Sequence, residues 1–404
     1  MRLNMENMCN NKENRFFQEV NDPFDENEKY SYEIDKNIYN ASAFINLGKL
    51  GPISSFIKVK TNEFVAIKKL SNVYENPTKG KNVLNQISIL SFIDHPNVIK
   101  LLDIIIQEKD DYQDVYLVEE YYGSNLEKLI FTNYFNYKKD ERIIPWIIYQ
   151  ILMGLNYLHS CKIMHRNIRS SNILIDENGN IKICGFGNAI SFDDRENILR
   201  GETNDFICEK CFLTYQAPEI LASKKKNKNS YDEKMDLWGV GCILAELCTN
   251  IIPFFPPLKI SKTKWISQLN GIFKKLGKPS KEEINKFASK ERIKDILKFV
   301  SFQKMEIKEL FPNVKDENVL DLLNKLLCIN PKERICIKEA INHPFFDVIK
   351  DFKESDDFSD SEKIFVNEYK EKIEEMEKKN ALFNEKILFY KNEIVYKQHK
   401  FKYK

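Results

Sequence analysis

The sequence predicts an α+β protein of two lobes with a C-terminal helical extension, and three observations carry that reading. Short β-type runs dominate from about Ile38 to Tyr122, and a helical pattern takes over from about Leu126 to Phe346. Beyond the second stretch, apolar residues recur at alternating steps of three and four from Val366 to Ile394. A change of period along a chain marks a change of architecture. A small β-rich front followed by a larger helical back places a cleft between the two lobes.

Residues 1–36 are polar and charged with few clustered apolar positions, and are expected to form a disordered tail. Phe64-Val65-Ala66-Ile67 and Val115-Tyr116-Leu117-Val118 are β-branched and aromatic runs of strand length. Between them, Val83 to Phe92 has helical spacing, and later Pro145 to His159 and Trp238 to Leu247 read as helices. The expected organisation is a tail over 1–36, a β-rich lobe over 37–121, a helical lobe over 122–347, and an acidic segment with an amphipathic helix over 348–404.

Composition removes several classes of function. With 43% hydrophobic and 30% charged residues the usage is globular, not disordered or fibrous. Lys+Arg of 62 against Asp+Glu of 60 gives a formal net charge of +2, so no global basic field recruits nucleic acid, and no nucleic-acid partner is expected. Nine scattered cysteines do not make a disulfide framework in a chain of this size, which points to a reducing compartment. The N-terminus lacks the apolar stretch of a signal peptide, and Arg2 excludes N-myristoylation. No apolar run approaches the roughly 18 residues of a membrane span. The expected setting is intracellular, cytoplasmic and/or nuclear, with no membrane partner.

Six short motifs follow one another in order. They are Val65-Ala66-Ile67-Lys68, His165-Arg166-Asn167-Ile168-Arg169-Ser170-Ser171-Asn172, Gly185-Phe186-Gly187, Ala217-Pro218-Glu219, Asp236-Leu237-Trp238 and Arg334. Together they resemble a eukaryotic protein kinase domain from about Asn46 to Phe346, and imply its fold of a small β-rich N-lobe and a larger helical C-lobe. Gln268-Leu269-Asn270 through Ser280, Leu310-Phe311-Pro312-Asn313, and Asn330-Pro331 through His343-Pro344-Phe345 are similar to the mitogen-activated and cyclin-dependent kinase group, most of all to mitogen-activated kinases. The resemblance implies that Lys68 grips ATP phosphates, that Gly48 opens the glycine-rich loop, and that Ala66 and Leu174 sandwich adenine. It implies a ligand position at Asn172, a Glu219–Arg334 pair, and a structural framework of His165, Arg166, Phe186 and Asp236.

The catalytic chemistry departs from that pattern. Phosphoryl transfer needs a lysine on the phosphates, carboxylate-held Mg²⁺, and an Asp to take the substrate hydroxyl proton. Asn167 stands at the Asp position and cannot take a proton; losing a positioned base typically costs about 10²- to 10⁴-fold. Gly185 stands at the metal-binding Asp and brings no side chain. Gln86 falls where a helix glutamate orients the lysine, and a neutral amide cannot pair with Lys68's charge. In Gly48-Lys49-Leu50-Gly51-Pro52-Ile53, Leu50 and Ile53 replace the second and third glycines. Glu119 falls at the position behind the adenine pocket, and a Lys68–Glu119 ion pair is the expected compensation, since a buried carboxylate is costly unless paired. ATP is expected to bind weakly, and Mg²⁺ not strongly, with Asn172 as its one weak ligand. The reading is a pseudokinase acting as scaffold or allosteric partner; the alternative is an atypical active serine/threonine kinase.

Outside the motifs, the segment between Phe186 and Glu219 lacks the group's Thr-x-Tyr phosphosite, with Ile207-Cys208-Glu209 in its place. Cys208-Glu209-Lys210-Cys211 is a lone C-x-x-C, two ligands short of a structural zinc site. Lys224-Lys225-Lys226 with Lys228 reads as a solvated loop. Acidic residues from 351 to 360 lie where mitogen-activated kinases dock basic peptides, so protein partners are expected there or along 366–394. In that last stretch, β-branched residues and Asn380 at a positions allow a homodimeric coil; packing of the helix on its own domain is the competing reading.

Overall fold

From Glu63 to Leu70 the residues are mostly apolar, but burial falls on Val65, Ile67 and Leu70 and spares Phe64, so the strand has faces with different fates. The structure is a computed structural model that describes residues 17–22, 25, 28–48, 51–73, 77–108, 113–132, 141–191, 213–223, 232–258 and 261–352. Among these the chain divides into two units, residues 17–94 with 99–122, and residues 95–98 with 123–352.

The first unit is built on five antiparallel strands. They are β3 (Tyr39–Gly48), β4 (Gly51–Lys58), β5 (Glu63–Leu70), β6 (Leu101–Glu108) and β7 (Gln113–Glu120), in the order β3-β4-β5-β7-β6. On one face of this sheet Phe56, Val65, Ile67, Tyr116 and Val118 form a buried cluster with Val20, Tyr32, Ile34 and Tyr39. Ala66 and Lys68 lie on the other face, because neighbouring residues alternate across a strand. Helix α1 (Pro77–Phe92) opens on a proline whose missing N–H costs nothing at a helix start, and it buries Val83, Ile87 and Leu90.

The residues of the cluster that precede Tyr39 come from a hairpin, β1 (Phe17–Asn21) paired antiparallel with β2 (Lys29–Glu33). This corrects the expectation of a disordered tail over 1–36 for residues 17–22 and 28–36; residues 1–16 lie outside the described residues. Gln18 is buried and satisfies its amide completely. Its Nε2 donates to the carbonyls of Ile34 (2.9 Å) and Tyr39 (2.8 Å), while Oε1 accepts from the Ala41 N–H at 2.7 Å. Tyr32 hydroxyl meets Ser54 Oγ at 2.9 Å. Lys69 Nζ donates to the Ser31 carbonyl at 3.0 Å and pairs with Asp114 at 3.0 Å, bolting β2 to the sheet.

In the second unit, α3 (Ile143–Ser160), which follows α2 (Leu126–Phe131), is buried almost all round, as a central core helix must be. After it come the short strands β9 (Ile163–Met164), β10 (Ile173–Ile175), β11 (Ile181–Ile183) and β12 (Ile190–Ser191). Helix α4 (Pro218–Leu221) carries Glu219, and α5 (Lys234–Thr249) is a second helix buried along most of its length, from Met235 to Leu247. A Cβ at Gly239 would stand 2.7 Å from the Ile168 carbonyl oxygen, so glycine lets the 165–172 loop lie directly against α5. Helices α6 (Lys264–Leu276), α7 (Lys281–Phe287), α8 (Lys290–Leu297), α9 (Ile307–Leu310), α10 (Glu317–Leu326) and α11 (Ile337–Ile341) complete the unit. The guanidinium of Arg334 clasps Glu219 with two parallel bonds of 2.7 and 2.9 Å, both side chains buried.

Among the described residues no helix is long and apolar enough to cross a membrane. The acidic stretch beyond residue 352 and the heptad seam over 366–394 lie outside the described residues, as do Leu50, Lys224 to Lys228 and Ile207 to Cys211.

Candidate functional site

Strand register fixes what surrounds Lys68 within the first unit. Lys68 lies opposite Ile53 on β4 and Leu117 on β7, while Ala66 lies opposite Ser55 and Glu119. Directly opposed residues share a face, so Ile53, Ser55, Ala66, Lys68, Leu117 and Glu119 line one side of the sheet. Lys68 and Glu119 are therefore diagonal neighbours. The expected ion pair between them is corrected: no salt bridge joins Lys68 to Glu119 among the described residues, although diagonal neighbours lie within reach of long side chains. Burial pushes the Glu119 carboxyl up, and the Lys68 charge pulls it part of the way back.

Gln86, on α1, is buried and makes no hydrogen bond to Lys68 among the described residues; its Oε1 has no partner at all there. The amide thus does not orient Lys68 through a hydrogen bond among the described residues. The β3–β4 ladder continues until Gly48 faces Gly51, so two residues connect the strands. Gly51 has φ +149° and a Cβ there would run into the Lys69 carbonyl, which restricts the position to glycine.

In the second unit, the loop from His165 to Asn172 is held by one buried carboxylate. Asp236 accepts the backbone N–H groups of His165 (3.0 Å) and Arg166 (2.7 Å), and His159 Nε2 lies 3.0 Å from its Oδ2. Burial alone would raise this carboxyl, but His159 and the N–H donors hold it below the ordinary value. His165 is fully buried and neutral in character: burial lowers its pKa, Nε2–H donates to the Cys184 carbonyl at 3.0 Å, and Nδ1 accepts from the Asn167 N–H at 3.3 Å. Its ring meets Phe186 edge-on at 4.8 Å between centroids. Leu174 sits in the middle of β10, opposite Lys182 on β11 and Asn125 on β8 (Ser124–Asn125).

At the positions expected to hold a metal, one side chain fills the space of another. Gly185 has φ +86°, and a Cβ built there would stand 2.7 Å from Asn172 Cγ and Oδ1. Asn172 fills the space in which a side chain at 185 would begin. Its Nδ2 donates to the Asn167 carbonyl at 2.8 Å, and its own carbonyl accepts the Cys184 N–H at 2.9 Å, so the residue closes its own loop and ties it to the chain at Cys184. Mg²⁺ demands an octahedron of oxygens, commonly anchored by one or two carboxylates. Asn167, Asn172 and Gly185 offer neutral amides and no carboxylate. They do not fit a magnesium ion. Asp176, the first acid after Asn172, is committed to its own turn through the N–H groups of Asn178 and Asn180.

One cluster escaped sequence reasoning. Ser170 Oγ and Tyr215 hydroxyl are 2.9 Å apart, beside the buried Glu246 of α5. Burial pushes the Glu246 carboxyl up to about 7, against the Tyr215 and Ser170 hydroxyls and the Phe254 N–H, with Glu127 adding to the rise. Neither carboxyl oxygen has an aligned hydrogen bond among the described residues. No local motif signals this group, since its members come from three distant stretches of chain.

Residues 39–346 match the family model for the protein kinase domain. The chain is 32% identical over 311 residues to mitogen-activated protein kinase 13 of Arabidopsis thaliana, covering 77% of this chain and 80% of that protein. It is 33% identical over 316 residues to mitogen-activated protein kinase mpkA of Aspergillus fumigatus, covering 78% and 70%. The β-rich first unit, the helical second unit and the ordered motifs agree with these matches: the chain belongs to the protein kinase family and has mitogen-activated protein kinases among its homologues.

Proposed function

We propose that this protein is a catalytically impaired kinase that serves as a scaffold or allosteric partner in phosphorylation signalling. The observation that carries the reading is the Asn172 side chain lying where a residue-185 carboxylate would start, beside an Asn167 that cannot accept a proton. Positioning without charge stabilisation leaves phosphoryl transfer with little of its usual catalysis. The framework supports a binding role. Asp236, His165, Phe186 and the Glu219–Arg334 clasp are the contacts that keep a kinase fold rigid, and none of them takes part in the chemical step.

A second reading, an atypical active serine/threonine kinase, is favoured by the same Asp236 network, which holds the 165–172 loop ready for chemistry. The two are separated by phosphotransfer from ATP with Mg²⁺ or Mn²⁺ to a generic protein acceptor, run beside Lys68→Ala. Activity lost in the variant makes the chain an enzyme; the expected result is no activity in either. Partners of the kinase-cascade type, engaging 351–360 or the 366–394 helix, belong to the proposal, as does an intracellular setting.

A further inference from the structure

Positive charge is spread unevenly over this chain. Its formal net charge is +2, yet residues 261–310 carry twelve lysines and one arginine against six acids, a local surplus of seven. That surplus surrounds a row of exposed apolar side chains in the second unit. Along α8, Lys290, Lys294 and Lys298 follow at steps of four and share one side with Leu297, while Arg292 and Ile296 turn inward. The chain then runs on through Val300, Lys304 and Met305. Leu297, Val300 and Met305 are 38%, 63% and 38% exposed, and Phe299 and Phe302 lie half-buried among them.

This surface is fixed from behind. Lys278 Nζ donates to the carbonyls of Leu297 (3.0 Å) and Phe299 (2.7 Å), and its backbone N–H donates to the Phe302 carbonyl at 3.0 Å. The Phe299 ring lies 6.2 Å from those of both Trp265 and Phe273. A Cβ at Gly277 would stand 2.6 Å from Lys304 Cα, so the chain passes directly over that glycine.

The residue types then choose among partners. Protein interfaces gather aromatic residues and arginine into a core depleted of charge, and lysine is scarce in them. Here lysines are interleaved with the apolar side chains, and the one arginine of the stretch faces away. The Arg292 guanidinium stacks over Trp265 at 4.2 Å and donates to the Leu221 carbonyl. Lys290, Lys294 and Lys304 form no salt bridge among the described residues, whereas Lys298 reaches Asp295 at 3.2 Å. A nucleic-acid backbone would use the ammonium groups and leave Leu297, Val300 and Met305 in water. Lysine heads reaching outward beside apolar side chains that can sink is the composition of a surface that lies on an anionic bilayer.

We infer that residues 290–305 form a docking surface for an anionic lipid bilayer, with Leu297, Val300 and Met305 entering the headgroup region and the lysines meeting lipid phosphates and carboxylates. A protein that lies on a membrane needs no spanning segment, so the inference departs from the expectation of no membrane partner. It draws on neither the nucleotide site nor the impaired-kinase reading. The test is cosedimentation of the purified full chain with phosphatidylcholine vesicles and with vesicles of about one-third phosphatidylserine. Binding to the anionic vesicles is expected to be at least about tenfold tighter, and to fall at least about tenfold between ~0.1 and ~0.5 M NaCl. Val300→Ser, and separately Lys290→Glu with Lys294→Glu, are each expected to weaken it at least about threefold. All three side chains are exposed, so both variants should keep the parent's thermal midpoint. The inference is overturned by equal binding to the two kinds of vesicle, or by variants that bind as the parent does, which would place the contact elsewhere in the chain. Weakening by the glutamate pair alone, with binding to soluble polyglutamate as tight as to vesicles, would make the surface a site for acidic protein and overturn it as well.

Discussion

Restoring the acid at position 185 should harm this protein. In Gly185→Asp the new Cβ meets the Asn172 amide at 2.7 Å, and the backbone keeps its φ of +86°. Left-handed backbone costs a non-glycine residue roughly 1 kcal/mol or somewhat more. Overpacking a filled space adds about 1–3 kcal/mol, because the displaced amide surrenders its bond to the Asn167 carbonyl. The sum is about 2–4 kcal/mol, and at roughly 2–4 °C per kcal/mol for a unit of this size the Tm falls by roughly 5–15 °C. Thermal unfolding followed by circular dichroism measures it. The mechanism also makes a claim about coupling. In the double variant with Asn172→Ala the obstruction is gone, so the two costs combine to less than their sum by about 1–3 kcal/mol. A Gly185→Asp protein as stable as the parent, or costs that add, would refute the steric argument.

Other consequences are checked in the same way. Glu246 binds a proton more tightly folded than unfolded, so its contribution is fully present below pH 4.5 and is lost as pH rises through about 7, a difference of about 3 kcal/mol. Denaturant midpoints measured from pH 5 to 8 should therefore fall relative to Glu246→Gln, and parallel curves would remove the claim. Arg334→Met leaves the Glu219 carboxylate buried and alone, at a cost of about 3–5 kcal/mol in urea unfolding. Lys69→Met breaks the bonds to Asp114 and the Ser31 carbonyl; a loss of about 1.5–3 kcal/mol should appear as faster amide exchange in β1 and β2 before the rest of the sheet.

How much of this was legible in the sequence depended on whether the signal was local. Val65 to Lys68 and Val115 to Val118 form strands, and the Trp238 helix forms, because each carries its own periodicity and burial then selects one face. The β1–β2 hairpin was hidden because its inward positions include a glutamine, and Gln18 is buried only through partners at 34, 39 and 41 that sequence spacing does not announce. The residues of the site could be named one by one from their motifs, but their relations could not. The two-position offset between Lys68 and Glu119 is a property of strand register, and the ladder closing at Gly48 and Gly51 is another. Likewise Asn172 and Gly185 stand thirteen positions apart in the chain, and only folding shows one filling the other's space.

The hairpin ahead of Tyr39 sets the folding boundary apart from the family boundary. Kinase likeness begins at residue 39, yet Val20, Tyr32 and Ile34 shield Phe56, Val65, Ile67, Tyr116 and Val118, all of which lie within it. A chain trimmed to the family limits would surface with a bare aliphatic and aromatic sheet on its small half, the sort of surface that drives proteins into inclusion bodies. In this protein the stretch that looks most dispensable on paper is the one recombinant production must retain, and a lineage that shed it would need another cover for the same five side chains.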